Sequence, residues 1–221
     1  IWNYEKQTSP FTRGEYIYYY RNDGLQNQYV VYRKKDNLNS NEEVFLDPNK
    51  FSEDGTISLT GLYFSEDGKL ISYTISEGGS DWRKAIVMDT ETKQIIGDTL
   101  TNIKFSGISW SGNKGFYYSS YDKPEGSELS EYTDRHKLYY HELNTDQKSD
   151  KTVFGDQREK YRYVSGNVSD DNNFLFISAS NLTDGNELYM IDLRKNSNRI
   201  QTISDDPSTD DYVVDLSLIH I

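Results

Sequence analysis

Hydrophobic residues occur along this chain in short runs that are separated by polar turns. The runs 16–20, 69–75 and 174–177 are rich in tyrosine, phenylalanine, leucine and isoleucine, and turn-forming polar residues lie beside them. Aromatic and β-branched side chains fit the pleated surface of a strand. No stretch keeps hydrophobic residues at a 3.6-residue spacing over three turns, as an amphipathic helix would. The pattern therefore predicts an all-β chain.

The same arrangement of turn, strand, polar gap and second strand occurs four times. These parts lie at 13–15, 16–20 and 28–32 in a looser first copy, then at 64–68, 69–75 and 83–89, at 110–113, 115–118 and 136–140, and at 168–172, 174–177 and 187–193. A repeat of roughly 45 to 58 residues built only from strands and turns is typical of β-propeller blades. We therefore expect a partial β-propeller of about four four-stranded antiparallel blades.

The repeat also predicts where each blade begins and ends. We expect a linker or interdomain segment at 1–10, a partial propeller at 11–216 and an atypical tail at 217–221. The expected blades span about 11–50, 57–100, 101–155 and 160–204, and 209–216 is expected to start a fifth. The polar insertion at 121–135 has no hydrophobic periodicity, which favours a mobile loop.

Composition excludes several classes of function. The net charge of −12 repels phosphate backbones, so we expect no nucleic-acid partner. The acidic excess is either a solvated surface or a field that attracts cationic ligands. The chain has no cysteine, which excludes disulfides, thiolate nucleophiles and cysteine–zinc sites. No hydrophobic run is long enough to span a membrane, so we expect no membrane partner.

The sequence contains no recognisable catalytic set. A serine hydrolase usually carries its nucleophile on a Gly-x-Ser-x-Gly turn, and no such turn occurs here. His136 and His141 flank a strand at an odd separation, which favours opposite faces and a surface or packing role. Acidic pairs are expected to form turns rather than a glycosidase site, and the acidic residues at 205–211 lack the spacing of an EF-hand. We therefore predict no catalytic residue, no metal and no cofactor.

Several segments are more specific than a generic propeller and resemble the prolyl oligopeptidase (prolyl endopeptidase) family. The most specific are Gly-Leu-Gln-Asn-Gln at 24–28 and Gly-Ser-Asp-Trp at 79–82. The others are the segments 16–20, 44–49, 62–68 and 137–141. The resemblance covers the chain except for its final residues.

The resemblance implies a two-domain serine endopeptidase that cleaves short peptides on the carboxyl side of proline. In that family an α/β-hydrolase domain carries the catalytic residues, and a seven-bladed propeller covers it as a lid that admits only oligopeptides. This chain would supply the first four blades and the start of the next. Its implied partners are proline-containing oligopeptides and the α/β-hydrolase catalytic domain of the same full-length protein. No catalytic residue carries over, and the compartment, cytoplasmic or periplasmic, stays open.

Three substrate-binding residues are implied by the resemblance. Phe105 matches a phenylalanine in the apolar pocket for the substrate residue two before proline, and the alternative is an ordinary blade-core phenylalanine. Tyr163 falls where the family often has a methionine lining that pocket. Asp81 resembles a carboxylate that faces the cavity near the substrate-binding arginine of the hydrolase domain, and the alternative is a cap of the turn before Trp82. The insertion at 121–135 resembles a flexible loop at the domain interface.

Two functions follow as hypotheses. In the first, the chain is the non-catalytic, substrate-gating propeller of a prolyl oligopeptidase and is inactive alone. In the second, it is a free-standing propeller that acts as a protein-binding scaffold, which requires a closed ring of blades.

Overall fold

The structure, a computed structural model, describes residues 3–37, 40–97, 99–121, 135–155, 161–195 and 199–214. Strands dominate these residues, and the helical elements described are two short 3₁₀ turns, Pro48–Lys50 and Gln147–Ser149. All strand pairs described are antiparallel. The predicted all-β class is confirmed.

The strands form four sheets in chain order. The first contains β1 (Lys6–Gln7), β2 (Phe11–Arg13), β3 (Tyr16–Asn22), β4 (Val30–Lys35) and β5 (Glu43–Leu46). The second contains β6 (Ile57–Phe64), β7 (Leu70–Glu77), β8 (Trp82–Asp89) and β9 (Leu100–Lys104). The third contains β10 (Ile108–Ser111), β11 (Gly115–Ser120), β12 (Lys137–Glu142) and β13 (Lys151–Phe154). The fourth contains β14 (Tyr163–Val168), β15 (Phe174–Ser180), β16 (Glu187–Asp192) and β17 (Ile200–Ser204).

In the last three sheets each strand pairs with the next one along the chain, which is the meander of a propeller blade. The first sheet differs because β1 and β2 both pair with β3. The partial β-propeller predicted from the repeat is confirmed.

The two ends of the chain differ from regular blades. Within the segment 1–10, Lys6 and Gln7 pair with Asn22 and Arg21 of the first sheet. The segment 211–214 has no regular secondary structure, and 215–221 lie outside the described residues. The predicted mobile loop also falls outside them, except for Tyr121 and Arg135 at its two ends.

The chain divides into two compact units, Ile1–Thr101 and Asn102–Ile221. The core of the first contains Tyr18, Val31 and Ile71 from its two sheets. The core of the second contains Leu138 and Ile177, again from two sheets. In each unit the buried faces of neighbouring sheets pack on one another, as stacked blades require.

The run 103–110, near the start of the expected third blade, is not one continuous strand. Lys104 ends β9 and Ile108 begins β10, while Phe105 between them has a positive φ of 49°. A bulky residue rarely adopts this left-handed conformation, because its Cβ crowds the backbone. The break occurs at a residue that the resemblance assigns to the substrate pocket.

Candidate functional site

Phe105 presents an aromatic ring to solvent from a strained position in the backbone. Its side chain is 44% exposed, whereas a blade-core phenylalanine would be buried as Phe116 and Phe154 are. Residues held in sparsely populated backbone conformations often occur at functional sites, where the surrounding structure supports the strain. The exposure and the backbone of Phe105 therefore favour a binding role over a packing role.

Hydrogen bonds on both sides of Phe105 hold it in this conformation. The carbonyl oxygen of Lys104 lies 2.9 Å from Nε2 of His136. On the other side, the hydroxyl of Ser106 accepts a hydrogen bond of 2.7 Å from the backbone N–H of Ser119 in β11. Phe105 is thus fixed between two anchored neighbours.

Two tyrosine rings contact Phe105 edge to face. The ring centroid of Tyr163 lies 5.9 Å from that of Phe105 at an interplanar angle of 63°, and that of Tyr121 lies 6.2 Å away at 88°. Edge-to-face pairs at such distances attract through their ring quadrupoles. The structure therefore brings Phe105 and Tyr163 together, and it adds Tyr121 to form an aromatic cluster of three residues.

Two cations lie over this aromatic cluster. The ammonium of Lys104 lies 5.2 Å from the ring centroid of Phe105, and the guanidinium of Arg162 lies 5.4 Å from that of Tyr163. Positive charges over aromatic faces are attracted to them. The three rings can therefore contact an apolar side chain, but the described cluster holds no nucleophile with an adjacent base.

His136 is buried beside this cluster and is not a catalytic base. Its side chain is 0% exposed, and burial lowers the pKa of its imidazole to about 4, against a partial rise from its hydrogen bond to the Lys104 carbonyl. The other described histidine, His141 in β12, is also buried, and its Nδ1 lies 2.8 Å from the carboxylate of Asp150. Both histidines pack within the unit, which is one of the two roles that the sequence left open.

Asp81 lies in the other unit, in the turn between β7 and β8, where it is exposed. The hydroxyl of Ser80, rather than Asp81, accepts a hydrogen bond of 3.1 Å from the backbone N–H of Trp82. The hydroxyl of Ser76 in turn donates to the carbonyl of Ser80 at 2.6 Å. Ser80 therefore caps this turn, which leaves the carboxylate of Asp81 available for another partner.

Sequence reasoning did not identify Tyr121 and His136 as neighbours of the candidate pocket. Tyr121 was grouped with the polar insertion, and His136 was interpreted only as a packing residue. A tyrosine at the boundary between a hydrophobic strand and a polar insertion was the available signal for Tyr121. The position of His136 depends on backbone atoms that are distant in sequence, so no local pattern indicates it.

Within the ranges that the structure describes, no group of three or more histidine or acidic residues could hold a metal ion. In the same ranges, no helix has the length and hydropathy needed to span a membrane.

Comparison with known proteins identifies the family. Residues 1–217 match the family described as the prolyl oligopeptidase N-terminal beta-propeller domain. The prolyl endopeptidases of Elizabethkingia miricola and Elizabethkingia meningoseptica are 54% and 53% identical to this chain over 205 residues. These residues are 92% of this chain and 29% of each relative, so the chain spans less than a third of the length of these curated relatives.

Solved structures agree with the sequence comparison. Prolyl oligopeptidase B from Galerina marginata superposes with a TM-score of 0.84 at 25% identity, over 98% of this chain and 33% of that one. The same enzyme bound to a 35mer hydrolysis and macrocyclization substrate gives a TM-score of 0.81 at 27% identity, over 97% and 33%. The chain belongs to the prolyl oligopeptidase family and corresponds to its N-terminal β-propeller domain.

Proposed function

We propose that this chain is the non-catalytic, substrate-gating propeller of a serine endopeptidase that cleaves short peptides after proline. Membership of the family supports this proposal, because two relatives that match 92% of the chain are prolyl endopeptidases, and the matched residues make up 29% of each. The chain has no nucleophile turn, and the two histidines described are buried in packing contacts. Catalysis is therefore assigned to a hydrolase domain of the same full-length protein.

Phe105 carries the proposal for how the propeller acts on substrate. Its exposed ring and the adjacent Tyr163 would form one wall of an apolar pocket for the substrate residue two before proline. Burying a large hydrophobic side chain contributes roughly 1.5 to 3 kcal/mol, and a well-placed ring contact adds about 0.5 to 1.5 kcal/mol. Such a wall favours substrates with a large residue at that position.

Asp81 is assigned a separate role in the first unit. Its exposed carboxylate would face the central cavity near the substrate-binding arginine of the hydrolase domain. The capping of this turn by Ser80 supports the proposal, because Asp81 is not needed to stabilise the turn.

Peptidase activity tests the assignment of catalysis. The 221-residue chain is assayed alone, and a fusion enzyme is made in which its 205 matched residues replace those of the Elizabethkingia miricola prolyl endopeptidase. The fusion enzyme is expected to release a chromophore attached after proline, whereas the chain alone is not. Hydrolysis by the chain alone, or a folded but inactive fusion enzyme, would contradict the proposal.

Substrate selectivity tests the role of Phe105. Two chromogenic peptides differ only in the residue two before proline, which is phenylalanine in one and glycine in the other. The ratio of their kcat/KM values is expected to fall by about 10-fold in Phe105→Ala, since a lost pocket contact of this size changes discrimination by that order. An unchanged ratio would remove Phe105 from the substrate pocket.

A further inference from the structure

We propose that His136 is a positioning residue that sets the distance between Phe105 and Tyr163 and so determines the substrate selectivity of this pocket. The inference rests on the proposed function, in which these two rings form one wall. It concerns a residue that is 0% exposed and therefore touches no substrate.

The imidazole of His136 joins the backbone on one side of each ring. Its Nε2 lies 2.9 Å from the carbonyl oxygen of Lys104, the residue before Phe105. Its Nδ1 accepts a hydrogen bond of 2.8 Å from the backbone N–H of Val164, the residue after Tyr163. These backbone groups are 32 and 28 residues away from His136 in sequence. One rigid ring therefore spans the two segments that carry the pocket.

These two contacts fix the tautomer and the charge of His136. Because Nδ1 accepts from an N–H, it carries no proton, and because Nε2 faces a carbonyl, it must donate one. The ring is thus neutral with its proton on Nε2. Burial favours the same neutral form. Both contacts are consequently present at neutral pH.

The contact with Val164 also explains why a polar ring is buried at this position. Val164 belongs to β14, which lies at the edge of the fourth sheet. Buried backbone N–H groups at a sheet edge require a partner, since an unsatisfied one costs about 1 to 3 kcal/mol. His136 supplies this partner and at the same time ties the edge strand to the end of β9.

Tyr121 reinforces the same connection. Its ring stacks on the imidazole of His136 with centroids 4.3 Å apart, and it also contacts the ring of Phe105. Its hydroxyl donates a hydrogen bond to the carbonyl of Arg162, the residue before Tyr163. His136 and Tyr121 therefore each contact both sides of the pocket, which limits the relative movement of the two rings.

A graded series of substitutions in the fusion enzyme tests this inference. In His136→Gln, the amide can donate to the carbonyl and accept from the N–H, as neutral histidine does. In His136→Asn, the shorter amide can reach only one partner, and His136→Leu has neither bond. The series therefore removes the two hydrogen bonds stepwise and keeps a residue that fits a buried position.

The expected readout is selectivity rather than general activity. The kcat/KM ratio between the phenylalanine and glycine peptides should stay within about 3-fold of wild type in His136→Gln and fall by about 10-fold in His136→Leu, with His136→Asn between them. The loss should appear as a higher KM for the phenylalanine peptide while kcat stays unchanged, because the catalytic groups are elsewhere. His141→Gln is the matched control, since His141 is a buried histidine in β12, the strand that follows His136, and it pairs with Asp150. This variant should leave the ratio unchanged.

Two results would overturn the inference while leaving the proposed function intact. In the first, Phe105→Ala lowers the ratio but the Asn and Leu variants of His136 do not. In the second, the variants lower kcat/KM equally for both peptides, as a purely structural role would. If His136→Leu does not fold, the comparison of His136→Gln with His136→Asn still tests the inference, because equal ratios in these two variants would overturn it. A ratio unaffected by Phe105→Ala would instead overturn the pocket itself and this inference with it.

Discussion

The two compact units connect their neighbouring blades in different ways. In the unit Ile1–Thr101, a buried charge makes the connection. The guanidinium of Arg33 lies 2.6 Å from the carboxylate of Glu43 and donates to the carbonyl of Thr90, in the turn directly after β8 of the next sheet. It also stacks over the rings of Tyr16 and Phe45 at 4.1 and 4.9 Å. In the unit Asn102–Ile221, a neutral ring, His136, makes the corresponding connection through two backbone groups.

The Arg33 contact stabilises the packing of two sheets, whereas the His136 contact also positions aromatic rings of the candidate pocket. The partners of Arg33 are a carboxylate, a turn carbonyl and core rings, and among the described residues none of these partners is next to an exposed aromatic residue in sequence. The partners of His136 adjoin Phe105 and Tyr163. A neutral imidazole with fixed donor and acceptor directions holds geometry without the desolvation cost of a buried charge.

The two units also differ in how the turns of neighbouring blades contact each other. In the first unit, Gly68 lies directly on the turn that contains Gly14, and a Cβ on Gly68 would be 2.5 Å from the backbone nitrogen of Gly14. In the second unit, the side chain of Asn172 reaches across and accepts a hydrogen bond of 2.7 Å from the N–H of Gly112. The first contact is close backbone packing, and the second is an adaptable side-chain bond.

The largest expected effect is on the glycine contact. Gly68→Ala should lower the free energy of unfolding by about 3 to 4 kcal/mol, since it adds a backbone clash to the cost of a left-handed alanine. Gly112→Ala is the control, because Gly112 also has a positive φ but a Cβ there meets nothing within 4 Å, and it should cost about 1 to 2 kcal/mol. Urea unfolding of the chain measures both. Equal decreases in the free energy of unfolding would contradict the close backbone packing at Gly68.

The next effect concerns the buried charge. Arg33→Leu should cost about 2 to 3 kcal/mol, because it leaves the Thr90 carbonyl without its donor and removes the stacking on Tyr16. The control is Arg194→Leu, since Arg194 pairs with Asp192 but its side chain is 49% exposed against 3% for Arg33, and it should lower the free energy of unfolding less than Arg33→Leu does. Urea midpoints compare the two variants. A larger loss in Arg194→Leu would contradict the structural role given to Arg33.

The neutral ring predicts a pH dependence with a definite sign. Below an ordinary pKa near 6.5 the unfolded chain binds a proton at His136, whereas the folded chain does so only near pH 4. Stability should therefore fall as the pH decreases from about 6.5 to about 4. Glutamine does not titrate in this range. Between pH 7.5 and 4.5, the free energy of unfolding of the wild type should therefore fall by about 2 kcal/mol more than that of His136→Gln. A constant difference across that range would show that folding does not lower the pKa of His136.

The smallest expected effect on stability is at the exposed ring. Phe105→Gly relieves the left-handed strain and removes a side chain that is only half-buried, so the free energy of unfolding should change by less than about 1 kcal/mol. Selectivity in the fusion enzyme should nevertheless fall as in Phe105→Ala. The control is Phe116→Ala, a fully buried ring of the same unit, which should cost about 3 to 5 kcal/mol. A large loss of stability in Phe105→Gly would make Phe105 a packing residue.

The blades could be predicted from sequence because each strand carries a regular pattern of its own. Alternation in the run 69–75 is sufficient to predict β7, and the acidic turn before it predicts where that strand starts. The break at Phe105 could not be predicted in this way, since isoleucine, lysine, phenylalanine and serine are all compatible with a strand. The left-handed backbone there depends on the anchors at His136 and Ser119, which are contributed by other strands or their ends.

The candidate site shows the same limit. The resemblance named Phe105 and Tyr163, and the structure brings their rings into contact. It did not name His136, whose partners are backbone atoms and carry no residue-specific signal. Side-chain chemistry can be inferred from sequence, whereas a contact to a distant main-chain group requires the fold.

Photochemical crosslinking shows whether this propeller contacts the substrate residue two before proline. A proline-containing peptide that carries a benzophenone side chain at that residue is irradiated in the fusion enzyme, and the adduct is located by mass spectrometry. The account predicts an adduct on Phe105 or Tyr163 that unlabelled substrate peptide prevents. An adduct confined to residues outside this chain would contradict it.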